Sequence, residues 1–145
     1  MDIHFELHDS RRPLEEAAVD AGLDASNAGN EALNDVRPMS VFARDASGLV
    51  IGGAVGRSWG ECCELQQLWV AEAVRRQGLG RQLMARFEKQ AAARGCKLLY
   101  LDTFSFQAPR FYAALGYRVA LETRGYTQGV SKFTLHKRIE GADPG

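Results

Sequence analysis

The chain has 145 residues, 25% of them charged, with 18 basic and 18 acidic side chains and a formal net charge of zero. That length suits a single domain, 1–145, with a sizeable core, and the balanced charge gives no overall pull toward nucleic acid or a membrane. No apolar run approaches the ~20 residues of a membrane span, and Met1-Asp2-Ile3-His4 lacks the basic-then-apolar order of a secretory signal.

Ile3, Phe5 and Leu7 alternate with His4, Glu6 and His8, the pattern of a half-buried strand. The histidines fall on its outer face with no third ligand nearby, so no metal site is expected. Pro13-Leu14-Glu15-Glu16 is a helix start, with proline early and acids in the first turn. Gly22 is the expected end of that helix, and Ser26 to Asn34, polar and glycine-containing, reads as a loop or a frayed second helix. Between Pro13 and Val36 there are six acids, Glu15, Glu16, Asp20, Asp24, Glu31 and Asp35, and no Lys or Arg. The plain reading is a solvated face; the functional one is a mouth that attracts a cation.

Ser40 to Asp45 and Leu49 to Trp59 read as strands joined by a turn at Ala46-Ser47-Gly48, and Trp59-Gly60-Glu61 turns the chain into a third strand, Cys62 to Val70. Gly52-Gly53 suggests a bulge or close packing. The three cysteines, Cys62, Cys63 and Cys96, form no Cys-x-x-Cys pair and suit a reducing, cytoplasmic setting as small packed residues. Leu79, Leu83, Phe87 and Ala91 then recur every four residues, the apolar stripe of a helix lying on a sheet, which Arg94-Gly95 ends. Lys97 to Thr103 is mostly apolar, as in a strand covered on both faces. Strand, helix and strand in this order imply a right-handed crossover and parallel pairing. Pro109 starts a short helix, Gly116 ends it, and Tyr117 to Glu122 with Ser131 to Lys137 forms a closing hairpin. Gly141 to Gly145 reads as a loose tail.

Chemistry concentrates at Arg75-Arg76-Gln77-Gly78-Leu79-Gly80-Arg81. Glycines there let backbone approach a ligand closely. The helix behind them points its unpaired N–H groups and positive dipole end at the turn, and Arg75, Arg76 and Arg81 add full charge. This is an anion site suited to phosphate. A dinucleotide site is the rival for Gly-x-Gly after a strand, with Asp102 as its ribose-binding acid. Leu83 stands where the third glycine would be, and antiparallel strands precede the turn where that fold usually begins with strand, helix and strand. Asp102 is then a structural acid at a strand end.

The turn resembles the acyl-CoA loop of the GNAT superfamily of N-acetyltransferases: Arg75, Gly78 and Gly80 meet its pattern of Arg or Gln, two residues, Gly, one residue, Gly or Ala. A second match, Ala108-Pro109-Arg110-Phe111-Tyr112-Ala113-Ala114-Leu115-Gly116-Tyr117, is similar to the family's Ala-x-x-x-Tyr-x-x-x-Gly-aromatic helix. The resemblance covers roughly Ser40 to Ile139. It implies an α/β fold with a mixed central sheet of about six to seven strands and helices on both faces. It also implies acetyl-CoA as cosubstrate, a small-molecule amine as partner, neither nucleic acid nor membrane, and leaves a homodimer open. Leu68, Trp69 and Val70 stand where the family's pantetheine-pairing strand stands, and Gln77, Leu79 and Arg81 belong to the phosphate turn. Ser105 occupies the place of an Asn that many members use toward the coenzyme.

The resemblance gives Tyr112 the place of the tyrosine that meets the coenzyme sulfur, and Glu64 the place of a general base. Strand alternation puts Glu64, Gln66, Leu68 and Val70 on one side. A carboxylate with an ordinary pKa of about 4.3 is a weak base for an amine near 10, so burial or a water relay has to help it. Leu68 and Val70 would act through backbone N–H groups on the thioester oxygen, and Gln66, Trp59 and Trp69 are candidates to shape the acceptor pocket. The expected activity is acetyl transfer to a primary amine of a small cationic acceptor by direct attack in a ternary complex. The alternative is a non-catalytic acyl-CoA-binding module for sensing or assembly.

Overall fold

The computed structural model describes residues 1–139; the tail expected at Gly141 to Gly145 lies outside them. The chain divides into two compact units, Met1–Asn34 and a second that begins at Asp35. In the first, helix α1 runs Pro13–Asn27, and the Glu16 carboxylate accepts a hydrogen bond from the Arg12 N–H at 2.6 Å, satisfying one of the helix's unpaired donors. α1 passes through Gly22, which keeps a helical backbone; Gly29, with φ +84°, is the first left-handed residue after it. One glycine weakens a helix by about 1 kcal/mol against alanine but does not stop it unless it turns left-handed.

The expected strand at Ile3–Leu7 does not form. These residues take no regular structure, and Ile3, Phe5 and Leu7 are all exposed. Alternation alone cannot make a strand, because its backbone groups need a ladder partner. The acidic segment is also less bare than its composition suggests. Arg11 and Arg12, just before it, pair with Glu16 and Glu15 at 2.7 and 3.0 Å. Asp35 accepts a hydrogen bond from the Gly60 N–H at 2.8 Å.

The second unit is a six-stranded mixed sheet: β1 (Arg37–Arg44), β2 (Val50–Trp59), β3 (Cys62–Val70), β4 (Leu98–Phe104), β5 (Arg118–Thr123) and β6 (Lys132–Arg138), in the order β1-β2-β3-β4-β6-β5. Among the described residues only β3 and β4 pair in parallel, joined through helix α2 (Leu79–Ala93). Helix α3 (Pro109–Ala114) links β4 to the closing hairpin. The stripe of α2 packs as its periodicity predicts: Leu83, Met84, Phe87 and Ala91 are buried against a sheet face that presents Ala54, Cys63, Leu65, Leu99 and Leu101. Gly52 and Gly56 admit the helix. A Cβ at Gly52 would lie 3.1 Å from the Leu83 side chain, and one at Gly56 would meet the Phe87 ring at 2.9 Å and collide with the Glu64 carbonyl oxygen. The C-terminal end of α2 is tied down by Arg94, whose guanidinium donates to the Arg37 and Pro38 carbonyls and the Ser58 hydroxyl at 3.0–3.1 Å. Behind α2, Glu88 accepts from the Tyr117 hydroxyl at 2.8 Å and pairs with Lys137 at 3.0 Å.

β3 carries an irregularity that decides the site. Val55 is registered to Gln67 and Gly56 to Leu65, so Gln66 has no partner on β2. Such a bulge sets two residues against one and shifts the side-chain phase. Glu64 therefore pairs with Arg57 on one face, whereas Leu68 and Val70 pair with Ala54 and Gly52 on the α2 face. The expectation that Glu64, Leu68 and Val70 share a side is corrected: an inserted residue reverses the alternation between them.

Candidate active site

β3 and β4 stay in register for only three residues, Cys62 to Glu64 against Leu98 to Tyr100. Beyond Glu64 and Tyr100 the strands part, and a cleft of about 530 Å³ opens. Its walls include Leu65, Gln66, Leu68 and Trp69 from β3, Leu101 and Thr103 from β4, and Gln107, Phe111 and Tyr112. A strand parted from its neighbour keeps backbone groups unpaired on that edge. The Ala71 N–H donates to the Ile51 carbonyl at 2.8 Å, toward β2. Successive N–H groups of a strand alternate in direction, so those of Leu68 and Val70 point to the cleft side.

One end of the cleft continues into a second hollow of about 360 Å³, lined by Leu68, Trp69, Val70, Arg75, Arg76, Leu79, Gly80 and Phe111. Here the phosphate turn has the form its glycines allow. Gly78, at φ +78°, is the N-cap of α2, and Arg76 is left-handed at φ +65°. The N–H groups of the first helical turn, including those of Leu79, Gly80 and Arg81, have no partner within the helix. A Cβ at Gly80 would sit 3.4 Å from the Phe111 ring, so a small residue fits and a branched one fills the hollow. Arg75 donates through Nε to the Val70 carbonyl at 3.0 Å, fixing the turn to the end of β3. Arg76, Gln77 and Arg81 are exposed. Backbone donors, a helix N-terminus and arginines in one hollow suit a pyrophosphate.

Tyr112 is brought to the cleft by α3. Its ring is 7% exposed and packs edge-on against Tyr117, with centroids 5.7 Å apart. Burial alone pushes its pKa up to about 12, so the hydroxyl stays protonated at neutral pH and can donate. Ser105 is placed differently from the cleft residues. Its hydroxyl accepts from the Ser131 N–H at 3.1 Å, and its own N–H donates to the Ser131 carbonyl at 2.8 Å, binding the end of β4 to the start of β6. Gln107 was not legible as a site residue. Its side-chain oxygen accepts from the Phe104 N–H at 2.8 Å and shapes the turn that carries the cleft wall. A polar residue two places before Pro109 was the only signal for it.

Glu64 stands on the opposite sheet face, at the last registered pair before the split. Its carboxylate pairs with the Arg57 guanidinium at 3.1 Å and accepts from the Tyr100 hydroxyl at 3.4 Å. Burial and then the Glu64 charge push the Tyr100 pKa up, so this hydroxyl also remains a donor. Glu64 and Tyr112 thus approach the parting strands from the two faces, and Glu64 lines a separate hollow of about 340 Å³ with Arg57, Trp59, Gly60, Cys62 and Tyr100. Gln66 and Trp69 line the central cleft, whereas Trp59 does not. Asp102 accepts from the Thr134 hydroxyl at 2.6 Å and also lines the central cleft. Cys63 and Cys96 are packed, and burial raises both thiol pKa values, that of Cys63 to about 12. Cys62 is exposed instead, because it falls on the sheet face opposite α2. Among the described residues no cluster of three metal-ligating side chains occurs.

The family model "Acetyltransferase (GNAT) family" matches residues 5–117. Blasticidin-S acetyltransferase of Streptomyces morookaense is 36% identical over 109 residues, 72% of this chain and 80% of that protein. Acetyltransferase Atu2258 of Agrobacterium fabrum is 32% identical over 137 residues, 94% of this chain and all of the relative. The crystal structure of an acetyltransferase from Bacillus cereus superposes with a TM-score of 0.73 at 30% identity, covering 92% of this chain and 97% of that one. The chain belongs to the acetyltransferase (GNAT) family, whose members use acetyl-CoA, and is an N-acetyltransferase of that type.

Proposed function

We propose that this N-acetyltransferase moves the acetyl group of acetyl-CoA directly to a primary amine of a small cationic acceptor, both substrates being bound together. The observation that carries this reading is the parting of β3 and β4 at Glu64 and Tyr100, which joins the phosphate turn, the cleft and the two candidate proton carriers. Acetyl-CoA supplies an activated thioester carbonyl. The turn from Arg75 to Arg81 holds the pyrophosphate through helix N–H groups and charge. The cleft-side N–H groups of Leu68 and Val70 are donors for negative charge developing on the carbonyl oxygen. Tyr112 donates its proton to the departing sulfur. Glu64, through a water if its carboxylate does not reach, takes the proton that the ammonium must lose before its nitrogen can attack.

Cys63 and Cys96 are buried with raised pKa values, which disfavours either as an acetyl carrier, and the adduct measurement below tests the exposed Cys62 beside Glu64. A small-molecule acceptor is supported by the relative named for blasticidin-S. Initial-rate kinetics test the order of events. Intersecting double-reciprocal lines, with no acetyl adduct on the intact protein after incubation with acetyl-CoA alone, are expected. Parallel lines with a stable acetylated residue would replace direct attack by a two-step transfer.

A further inference from the structure

The hollow around Glu64 holds charges of both signs. Arg57, Trp59, Cys62, Glu64 and Tyr100 all project from the face opposite α2, because Arg57 is registered to Glu64, Trp59 to Cys62 and Glu64 to Tyr100. Arg57 and Glu64 already form an ion pair at 3.1 Å, with Glu64 the more shielded side chain at 27% exposure. Directly opposed residues of this kind have Cβ atoms only about 4.5–5.5 Å apart.

This pairing constrains what can enter. Arg57 and Tyr100 both bond Oε2 of Glu64, so an ammonium can take Oε1, but it would then set a second positive charge on the same carboxylate beside the guanidinium. An acceptor that also bears an anion offsets that repulsion, because its anion can take the guanidinium N–H groups that Glu64 leaves free. We infer that the acceptor is an amino acid-like compound, with a carboxylate a few bonds from the reacting amine, and that Arg57 is the residue that selects it. The ammonium binds the Glu64 carboxylate beside Trp59 and the Tyr100 hydroxyl. The carboxylate takes the Arg57 guanidinium, whose planar fork suits it. Glu64 and Tyr100 are the last registered pair before β3 and β4 part, so an amine held by Glu64 meets the thioester site through the gap between the strands, from the opposite sheet face. The inference rests on the proposed acetyl transfer and revises its acceptor: the reacting ammonium stays cationic, but a carboxylate on the same compound makes it a zwitterion.

The experiment compares matched pairs, each a small amino acid and its carboxamide, together with simple alkylamines and diamines, by CoA release. The readout is the acid-to-amide ratio of kcat/KM in wild type, Arg57→Gln and Arg57→Lys. Comparing the ratio between proteins cancels the different basicities of the two amines. The ratio should fall about tenfold to a hundredfold in Arg57→Gln, the range of one hydrogen bond to a charged group, through KM for the acid, and recover in part in Arg57→Lys. CoA affinity by calorimetry should be unchanged, which separates loss of selection from loss of fold. An equal ratio in wild type and Arg57→Gln overturns the inference. So does acetylation of alkylamines or diamines with every acid refused, a result that leaves the transferase reading standing. If no amine is acetylated although CoA binds, both readings fall.

Discussion

Replacing Tyr112 with phenylalanine removes one oxygen from a ring whose packing is otherwise kept. The ring is 7% exposed and stacks edge-on with Tyr117, contacts that phenylalanine reproduces. Burial is the sole cause of its raised pKa, with no hydrogen bond contributing, so the substitution should orphan no partner and change stability by less than about 1 kcal/mol. The catalytic cost should be larger. A hydroxyl that protonates the leaving sulfur acts in the transition state more than in the ground state. General acid catalysis contributes about 10²- to 10⁴-fold, or about 2.7–5.4 kcal/mol of barrier. The assay is kcat by thiol release with acetyl-CoA and amine both saturating, after a viscosity control shows that product release does not limit. CoA affinity should hold within about twofold. Because the pKa is pushed up to about 12, the ordinary value being near 10, Tyr112 stays a donor throughout the neutral range. Its ionisation should therefore not set the alkaline limb of the rate profile below pH 10. The sign for stability follows the same shift. The folded protein holds this proton more tightly than the unfolded chain, so Tyr112 has no effect below pH 10 and destabilises between about 10 and 12. An unchanged kcat in Tyr112→Phe, under conditions limited by chemistry, would refute the donor role.

Gly80→Val should weaken CoA binding at least tenfold by filling the hollow beside Phe111, whereas Gly80→Ala should bind nearly as wild type; calorimetry decides, and CoA at 100 times its Kd should add about 2.7 kcal/mol to wild-type stability. Gly56→Ala should cost about 3 kcal/mol or more, since its methyl collides with the Glu64 carbonyl and meets the Phe87 ring at 2.9 Å; a melting temperature within a few degrees of wild type would contradict the packing of α2 on β2. Glu64→Gln should keep the fold and CoA affinity while kcat/KM for the amine falls at least a hundredfold near neutral pH; equal kinetics would remove Glu64 as base.

Much of the second unit was legible because its signals are local. The α2 stripe, the Arg94-Gly95 stop and the hairpin turns act within a few residues, and the corresponding elements begin and end within about three residues of their expected positions. What failed depends on residues far apart in the chain. The alternation at Ile3 to Leu7 is real, but no ladder forms there. The alternation through Glu64, Gln66, Leu68 and Val70 is broken by a bulge that exists only in the register against β2. The same register brings Arg57 to Glu64, and the β3–β4 pairing brings Tyr100. Nothing in the local sequence of Arg57 or Tyr100 marks them as neighbours of a candidate base. Ser105 was legible as a position but not as a bond, because its partner, Ser131, lies on another strand entry.

The most direct measurement is amine-dependent release of CoA from acetyl-CoA, with the acylated product identified by mass spectrometry. One N-acetylated amine per CoA released, in wild type and at least a hundredfold slower in Tyr112→Phe, is the expected result. Release of CoA at the same rate with and without amine, giving acetate and no N-acetyl product, would contradict transfer at the cleft between β3 and β4.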